Sequence, residues 1–307
     1  MHQSLLKECV CIACFGLIAF TGQSQERSKE DIDRDKKFQE LAATAGRDTS
    51  KNYRWTHNVV TGVNLTQISF KDWVQGGENA LAYTLWLRGN SVQDQERTNW
   101  NTSYRFAFGQ TRLGNQGLRK TDDEIFIQGL LIYKLGVNID PYAGLTFRTQ
   151  FAKGYHFDDQ GNQSDVSAFF DPGYLMQSAG VGYKPVPEFS TRMGLAAREV
   201  ITSQFTNFAD DPTTSEIEKT RIEGGLESVT EIGWKFAENM MFSSKLEIFA
   251  PFKTIDRMVV RSDNSISAIV NTYVTTSLNV QFINDPVASP LTQIKEVLAL
   301  GLSYTLF

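Results

Sequence analysis

The chain has 307 residues, 41% of them hydrophobic, and a formal charge of −5 at pH 7. So mild a charge excludes a nucleic-acid partner recognised by bulk electrostatics, and no run of apolar residues reaches the roughly eighteen needed for a transmembrane helix. The mean hydropathy of −0.28 suits a soluble domain, but equally a transmembrane β-barrel, in which only alternate residues meet lipid.

The N-terminal residues read as an export signal. Lys7 precedes an apolar run from Cys9 to Phe20, and the small and polar residues TGQSQ follow. A run of roughly a dozen residues is too short to cross a bilayer as a helix. Residues 1–25 are therefore expected to be a signal peptide, cleaved near residues 22–25. A lipoprotein site at Cys14 fits poorly, because Cys11 stands where such sites take Leu and the apolar run continues beyond Cys14. Cleavage removes Cys9, Cys11 and Cys14, the three cysteines of the chain. The mature protein then has no disulfide, thiol nucleophile or thiolate metal site.

Residues 26–52 are polar, with room for a short helix around Ile32 to Ala45, and are expected to lie in the periplasm. From residue 53 to residue 307 the pattern has period two. In NALAYTLWLRG, Leu81, Tyr83, Leu85 and Leu87 share one face, with Ala82, Thr84, Trp86 and Arg88 opposite. In NWNTSYRFAFG, Trp100, Thr102, Tyr104, Phe106 and Phe108 oppose Asn101, Ser103, Arg105 and Ala107. AGLTFRTQF sets Leu145, Phe147, Thr149 and Phe151 against Arg148 and Gln150. TRIEGGLESVTEIGWKF sets Ile222, Leu226, Ile232, Trp234 and Phe236 against Glu223, Glu227, Glu231 and Lys235. One greasy face and one charged face is the pattern of a membrane barrel.

A soluble β-sandwich is the competing fold. Strands of ten or so residues exceed the usual five or six. Aromatics near strand ends (Tyr83, Trp86, Trp100, Tyr133, Tyr142, Tyr155, Tyr183, Trp234 and Tyr304) suit an interfacial girdle. Connections also alternate: short ones at NID, KPVPE and AEN, long ones over Gln110 to Asp122, His156 to Asp171 and Gln204 to Lys219. Short periplasmic turns and long external loops mark an outer-membrane barrel. A plain count finds eleven strands, an odd number that such a barrel avoids. Splitting Met258 to Ile283 at Asn271–Tyr273 makes twelve. The expected fold is all-β, a transmembrane antiparallel up-and-down barrel of twelve strands, in the outer membrane of a Gram-negative bacterium.

Several stretches carry a resemblance: QISFKDWVQGGENA (Gln67, Trp73, Gly76, Gly77, Asn79), RKTDD, FRTQFAKGY, GYKP and IKEVLALGLSY. From about Trp55 to Phe307 the chain resembles DUF3078, a Bacteroidota outer-membrane β-barrel family of unknown function. The resemblance implies a barrel and its location, and no activity. The alternating end LALGLSYTLF, with Tyr304 and Phe307, resembles the assembly signal of outer-membrane proteins. The partners it implies are the barrel-assembly machinery, outer-membrane lipid and lipopolysaccharide.

The interior charges are the candidate functional residues. Arg105, Glu124, Arg148, Arg192, Arg198, Glu223, Glu227, Glu231, Lys235, Lys245 and Glu247 are expected to line the lumen. Glu223, Glu227 and Glu231 recur every four residues, so on a strand they share a face. They form either a cation-preferring wall or a set of ion pairs with the interior Arg and Lys, as charges in a narrow lumen require. The segment GQTRLGNQGLRKTDD is rich enough in Gly, Arg and Asp to fold inward as a plug.

Catalytic signals are weak. His57 reads as a lumen or interface polar residue, and His156 as turn chemistry in HFDDQGNQSD. That loop could hold calcium only through Asp158, Asn162 and Asp165, without the glycine and distal glutamate of an EF-hand. No GxSxG, HExxH or phosphate-loop motif occurs. The sequence therefore points to no enzyme, cofactor or metal. It suggests a narrow pore or small-solute transport barrel, with a structural or surface-interaction barrel as the alternative and a barrel-embedded hydrolase as the least favoured reading.

Overall fold

The computed structural model describes residues 54–69, 78–115, 117–157, 162–211, 214–271, 273–289 and 291–306. The expected signal peptide, the polar segment to residue 52, Asp158 and Phe307 lie outside the described residues.

The chain runs through β1 (Trp55–Ile68), β2 (Ala80–Asp94), β3 (Thr98–Leu113), β4 (Arg119–Tyr133) and β5 (Ile139–Thr149). A small hairpin follows, β6 (Gly154–Phe157) and β7 (Gln163–Ser167). Then come β8 (Gly173–Val186), β9 (Phe189–Ile201), β10 (Thr220–Ala237) and β11 (Met240–Pro251). The last strands are β12 (Val259–Ile269), β13 (Val274–Asn284) and β14 (Gln293–Thr305). All of these except β6 and β7 pair antiparallel in chain order. β14 returns to β1, with Val60 opposite Thr305 and Asn64 opposite Gly301, and a twelve-stranded barrel closes. Closure removes the free edges that would otherwise recruit other strands.

The divide expected at Asn271–Tyr273 falls between β12 and β13. Barrel strands run from 11 residues in β5 to 18 in β10, enough to cross a bilayer, which takes about 9–11 tilted residues. One rim carries the short turns at 95–97, 134–138, 187–188, 238–239 and 270–273. The other carries the connections at 69–79, 114–118, 150–172, 202–219, 252–258 and 285–292.

The stretch from Gln110 to Asp122 differs from expectation. β3 continues to Leu113 and β4 begins at Arg119, so only residues 114–118 separate the two strands. The Gly114 N–H donates to the Asn79 carbonyl at 2.7 Å, and Leu113 and Leu118 are exposed. That bond ties the end of β3 to the start of β2, and β3 and β4 stay paired as far as Thr111 and Arg119, so most of the segment is strand and not an inward plug. Ladder hydrogen bonds between two long strands satisfy the backbone better than a Gly-containing loop folded into the barrel could.

Two registers fix which face is which. On the outer face Leu195 stands opposite Leu226, and Leu278 opposite Leu298. Leu195 is 63% exposed and Leu298 79% exposed. Among the described residues the largest fully buried side chains are only Val200 and Val229. A water-soluble protein does not leave so continuous an apolar surface uncovered. A bilayer covers it. No described helix is long and apolar enough to cross a membrane; the strands do the crossing.

The aromatic girdle is partly as expected. Trp55, Trp100, Tyr133, Tyr183, Trp234 and Tyr304 are exposed near the short-turn rim. Trp86 and Tyr142, in contrast, face the lumen. Trp86 fills the space over Gly62, opposite it on β1, where a Cβ would clash with the indole. Tyr142 is buried, with its hydroxyl directed to Glu227. Parity along the strand outranks proximity to a strand end.

Candidate functional site: the charged lumen

The alternation that turns leucine and phenylalanine outward turns arginine and glutamate inward. Register partners share a face, and one interior row runs across four strands: Arg88 on β2, Arg105 on β3, Phe126 on β4 and Arg148 on β5. Phe126 is only 2% exposed. The Arg105 and Arg148 guanidinium carbons lie 4.5 Å and 5.0 Å from its ring centre, and the Lys245 ammonium of β11 lies 5.2 Å away. Three cations lying over one ring use the negative π cloud of its faces in place of water.

The opposing wall supplies carboxylates. Glu247 of β11 accepts from Arg148 at 3.2 Å and pairs with Lys245 at 3.0 Å. Asp263 of β12 pairs with Arg261 at 3.2 Å and lies 3.9 Å from Arg105. Glu124 of β4 meets Arg261 of β12 at 3.2 Å. Arg148–Glu247, Arg105–Asp263 and Glu124–Arg261 join strands that are not neighbours in the barrel, so they cross the lumen itself, whereas Lys245–Glu247 and Arg261–Asp263 each lie within one strand. Opposite walls are tied by side chains.

The three glutamates of β10 are each engaged. Glu223 lies 3.8 Å from Arg198 and 3.5 Å from Arg221. Glu227 lies 3.8 Å from Arg192 and accepts from the Tyr142 hydroxyl at 3.3 Å. Glu231 lies 3.5 Å from Lys245. Ion pairing, and not a bare cation-preferring wall, is what the geometry shows at these positions. Near the long-loop rim Arg198 also donates to Asp285 of the β13–β14 connection at 2.6 Å, and Lys295 of β14 to Asp122 of β4 at 2.7 Å.

Ten of the expected lumen charges thus take part in ion pairs: Arg105, Glu124, Arg148, Arg192, Arg198, Glu223, Glu227, Glu231, Lys245 and Glu247. Lys235 does not join them. It is exposed near the short-turn rim, beyond the reach of the network. Sequence reading missed Arg221, Arg261, Asp263 and Asp285, as well as the central Phe126. Arg261 and Asp263 alternate in VVRSDNSISAI, so period two could have found them. Asp285 sits in a loop, where no periodicity points inward.

The network is wet. Side-chain exposure is 27% for Arg105, 22% for Arg148 and 18% for Glu247. Ions in a dry core cost several kcal/mol each to desolvate; partial exposure lowers that cost here, and pairing offsets part of the remainder.

The histidines lie elsewhere. His57 is on the outer face of β1, stacked on Trp55 at 6.3 Å between ring centres and hydrogen-bonded to Ser91 at 2.8 Å. His156 on β6 stands opposite Ser164 of β7. Asp165 pairs with Lys153 at 3.7 Å. Among the described residues no group of three His, Cys, Asp or Glu side chains is placed to hold a metal.

The resemblance read from the sequence has a counterpart in one comparison. Residues 65–155 match DUF3078, a protein family of unknown function. The match covers β2 to β5 and the end of β1, a narrower span than the resemblance from about Trp55 to Phe307. No curated protein sequence matches the chain. Among solved structures, the COG4313 outer membrane channel from Pseudomonas putida F1 is 13% identical with a TM-score of 0.39, covering 85% of this chain and 99% of that one. The translocator domain of the autotransporter NalP from Neisseria meningitidis is 10% identical at 0.36, covering 90% and 96%. The NanC porin is 7% identical at 0.37, covering 80% and 97%. The barrel itself rests on the strand pairing of this chain.

Proposed function

We propose that the protein is a narrow pore of the Gram-negative outer membrane, passing small solutes through the charged lumen. The observation that carries this reading is the partial exposure of the interior ion pairs. A lumen filled only for stability favours apolar side chains, since replacing buried ion pairs by packed hydrophobic groups is often neutral or stabilising. A hydrated, polar interior instead lets a small solute exchange hydrogen bonds with the wall. Outer-membrane lipid and lipopolysaccharide surround the apolar face in this reading, and the barrel-assembly machinery inserts it.

A second reading, a barrel that displays its loops without transport, is favoured by the ion pairs that cross the lumen. Planar-bilayer recording on refolded protein separates the two. Small, discrete conductance steps support the pore. Insertion of folded, gel-shifted protein with no current over a range of salt concentrations supports the structural barrel and overturns the pore.

A further inference from the structure

Among the described residues, Arg105 is the interior arginine that the ion pairs leave least satisfied, with two buried nitrogens unpartnered where Arg148, Arg192 and Arg221 each have one. Arg88 and Arg105 are direct register partners on β2 and β3, with both side chains facing the lumen. Like charges directly opposite on neighbouring strands repel, so this pair needs a counter-charge. The carboxylates nearest to Arg105 are already committed. Glu124 Oε1 meets Arg261 at 3.2 Å and Arg148 at 3.4 Å before Arg105 at 3.8 Å. Asp263 serves Arg261 at 3.2 Å before Arg105 at 3.9 Å.

The consequence shows in the hydrogen bonds. Nε and Nη2 of Arg105 are buried atoms without a hydrogen-bond partner, and buried donors left unmade are costly. Arg88 is exposed to the lumen, and its guanidinium lies 5.6 Å from the Trp86 ring centre on the same face of β2. Register pairing thus sets two arginines on adjacent strands of one wall, one with donors that lack partners and one exposed to the lumen, and guanidinium donors are the groups best suited to a carboxylate or phosphate.

We propose that Arg88 and Arg105 form an oxyanion-binding site in the lumen, taking a small carboxylate or inorganic phosphate. The site deepens the pore reading, because it gives the lumen a preference for anionic solutes. It selects by a local pair of donors, independent of the mild net charge of the chain.

The test is a fluorescence titration of refolded protein in detergent micelles at constant ionic strength, with sodium acetate and with inorganic phosphate as separate probes. Trp86 is the reporter, and Trp86→Phe identifies its share of the signal. Wild type should give a saturable Trp86 change with at least one probe, and the stronger probe tells carboxylate from phosphate. Arg88→Gln and Arg105→Gln should weaken that binding at least tenfold, and Arg88→Lys less so, because it keeps the charge and loses the fork. Gel mobility verifies folding; if Arg105→Gln fails to fold, Arg88→Gln decides, since Arg88 makes none of the ion pairs described above. No saturable change in wild type, or equal affinity in Arg88→Gln, overturns the site. Binding without bilayer conductance leaves the site standing and removes the pore, whereas conductance without binding does the reverse.

Discussion

Arg148 on β5 donates to Glu247 on β11 across the lumen, Nη2 to Oε2 at 3.2 Å, although the two residues are 99 positions apart. Removing one partner strands the other charge. Breaking a buried pair costs roughly 3–5 kcal/mol, and the partial exposure of both side chains places this pair at or below the low end. Arg148→Gln and Glu247→Gln should each lower the urea midpoint of the micelle-bound barrel. The double variant should lose less than the sum of the two. Additive losses would show that the two side chains act independently.

The lipid face gives a second test. Leu85 is 44% exposed on the outer wall, and Phe106 and Phe147 share that wall through the registers of β2 to β5. Replacing any of them by Arg should cost about 2–4 kcal/mol near the bilayer midplane. Ser103 faces the lumen opposite Asn90, so Ser103→Arg should be milder. Refolding yield into lipid vesicles measures both, and equal damage would refute the inside–outside assignment.

Asp171 joins two external connections. Its carboxylate accepts from the backbone N–H groups of Ser203 at 3.1 Å, Gln204 at 2.6 Å and Phe205 at 3.4 Å, and the residue is 4% exposed. Hydrogen bonds to a charged group contribute roughly 1.5–3 kcal/mol. Asp171→Ala should therefore expose the 202–219 connection to protease while the barrel keeps its gel mobility. Loss of the whole fold would mean that the contact supports more than the loops.

Glu218, in that same connection, supplies a pH test. The Thr214 hydroxyl donates to it at 2.6 Å and the Asp211 N–H at 3.0 Å. These bonds, the Thr214 one foremost, hold its carboxyl below the usual carboxylate range. A lowered native value means that the ordering is present above the unfolded-state value and fades as pH falls through the native one. The protection of the loop amides, corrected for the intrinsic pH dependence of exchange, should fall under acid conditions in wild type and lose that acid dependence in Glu218→Gln. A pH profile that the substitution leaves intact would assign the ordering to other groups.

The rim hairpin and the β10 glutamates revise two expectations. Because most of Gln110 to Asp122 is paired strand, deleting Leu113 to Leu118 should leave any conductance unchanged. Among the glutamates, Glu227 is 5% exposed beside Arg192 and Tyr142, whereas the Glu231 side chain is 47% exposed. Glu227→Gln should lower the urea midpoint more than Glu231→Gln. The reverse order would show that burial does not govern these pairs.

Much of the architecture was legible in the chain. Period-two alternation sets Leu226 outward and Glu227 inward with no knowledge of any partner strand, because side chains leave a strand on alternate faces. The same rule carried the split of Met258 to Ile283 into two strands and the count to twelve. What the sequence could not reveal is which charges meet. Glu247 lies beside Lys245 in the chain, yet its second partner, Arg148, comes from the far wall, and only the closed barrel sets that distance. Pairing of Arg198 with Asp285 likewise depends on where a loop returns over the rim. Local periodicity assigns a face to each residue. Closure and stagger of the strands decide which faces confront one another, and so which carboxylates reach Arg105 opposite Arg88.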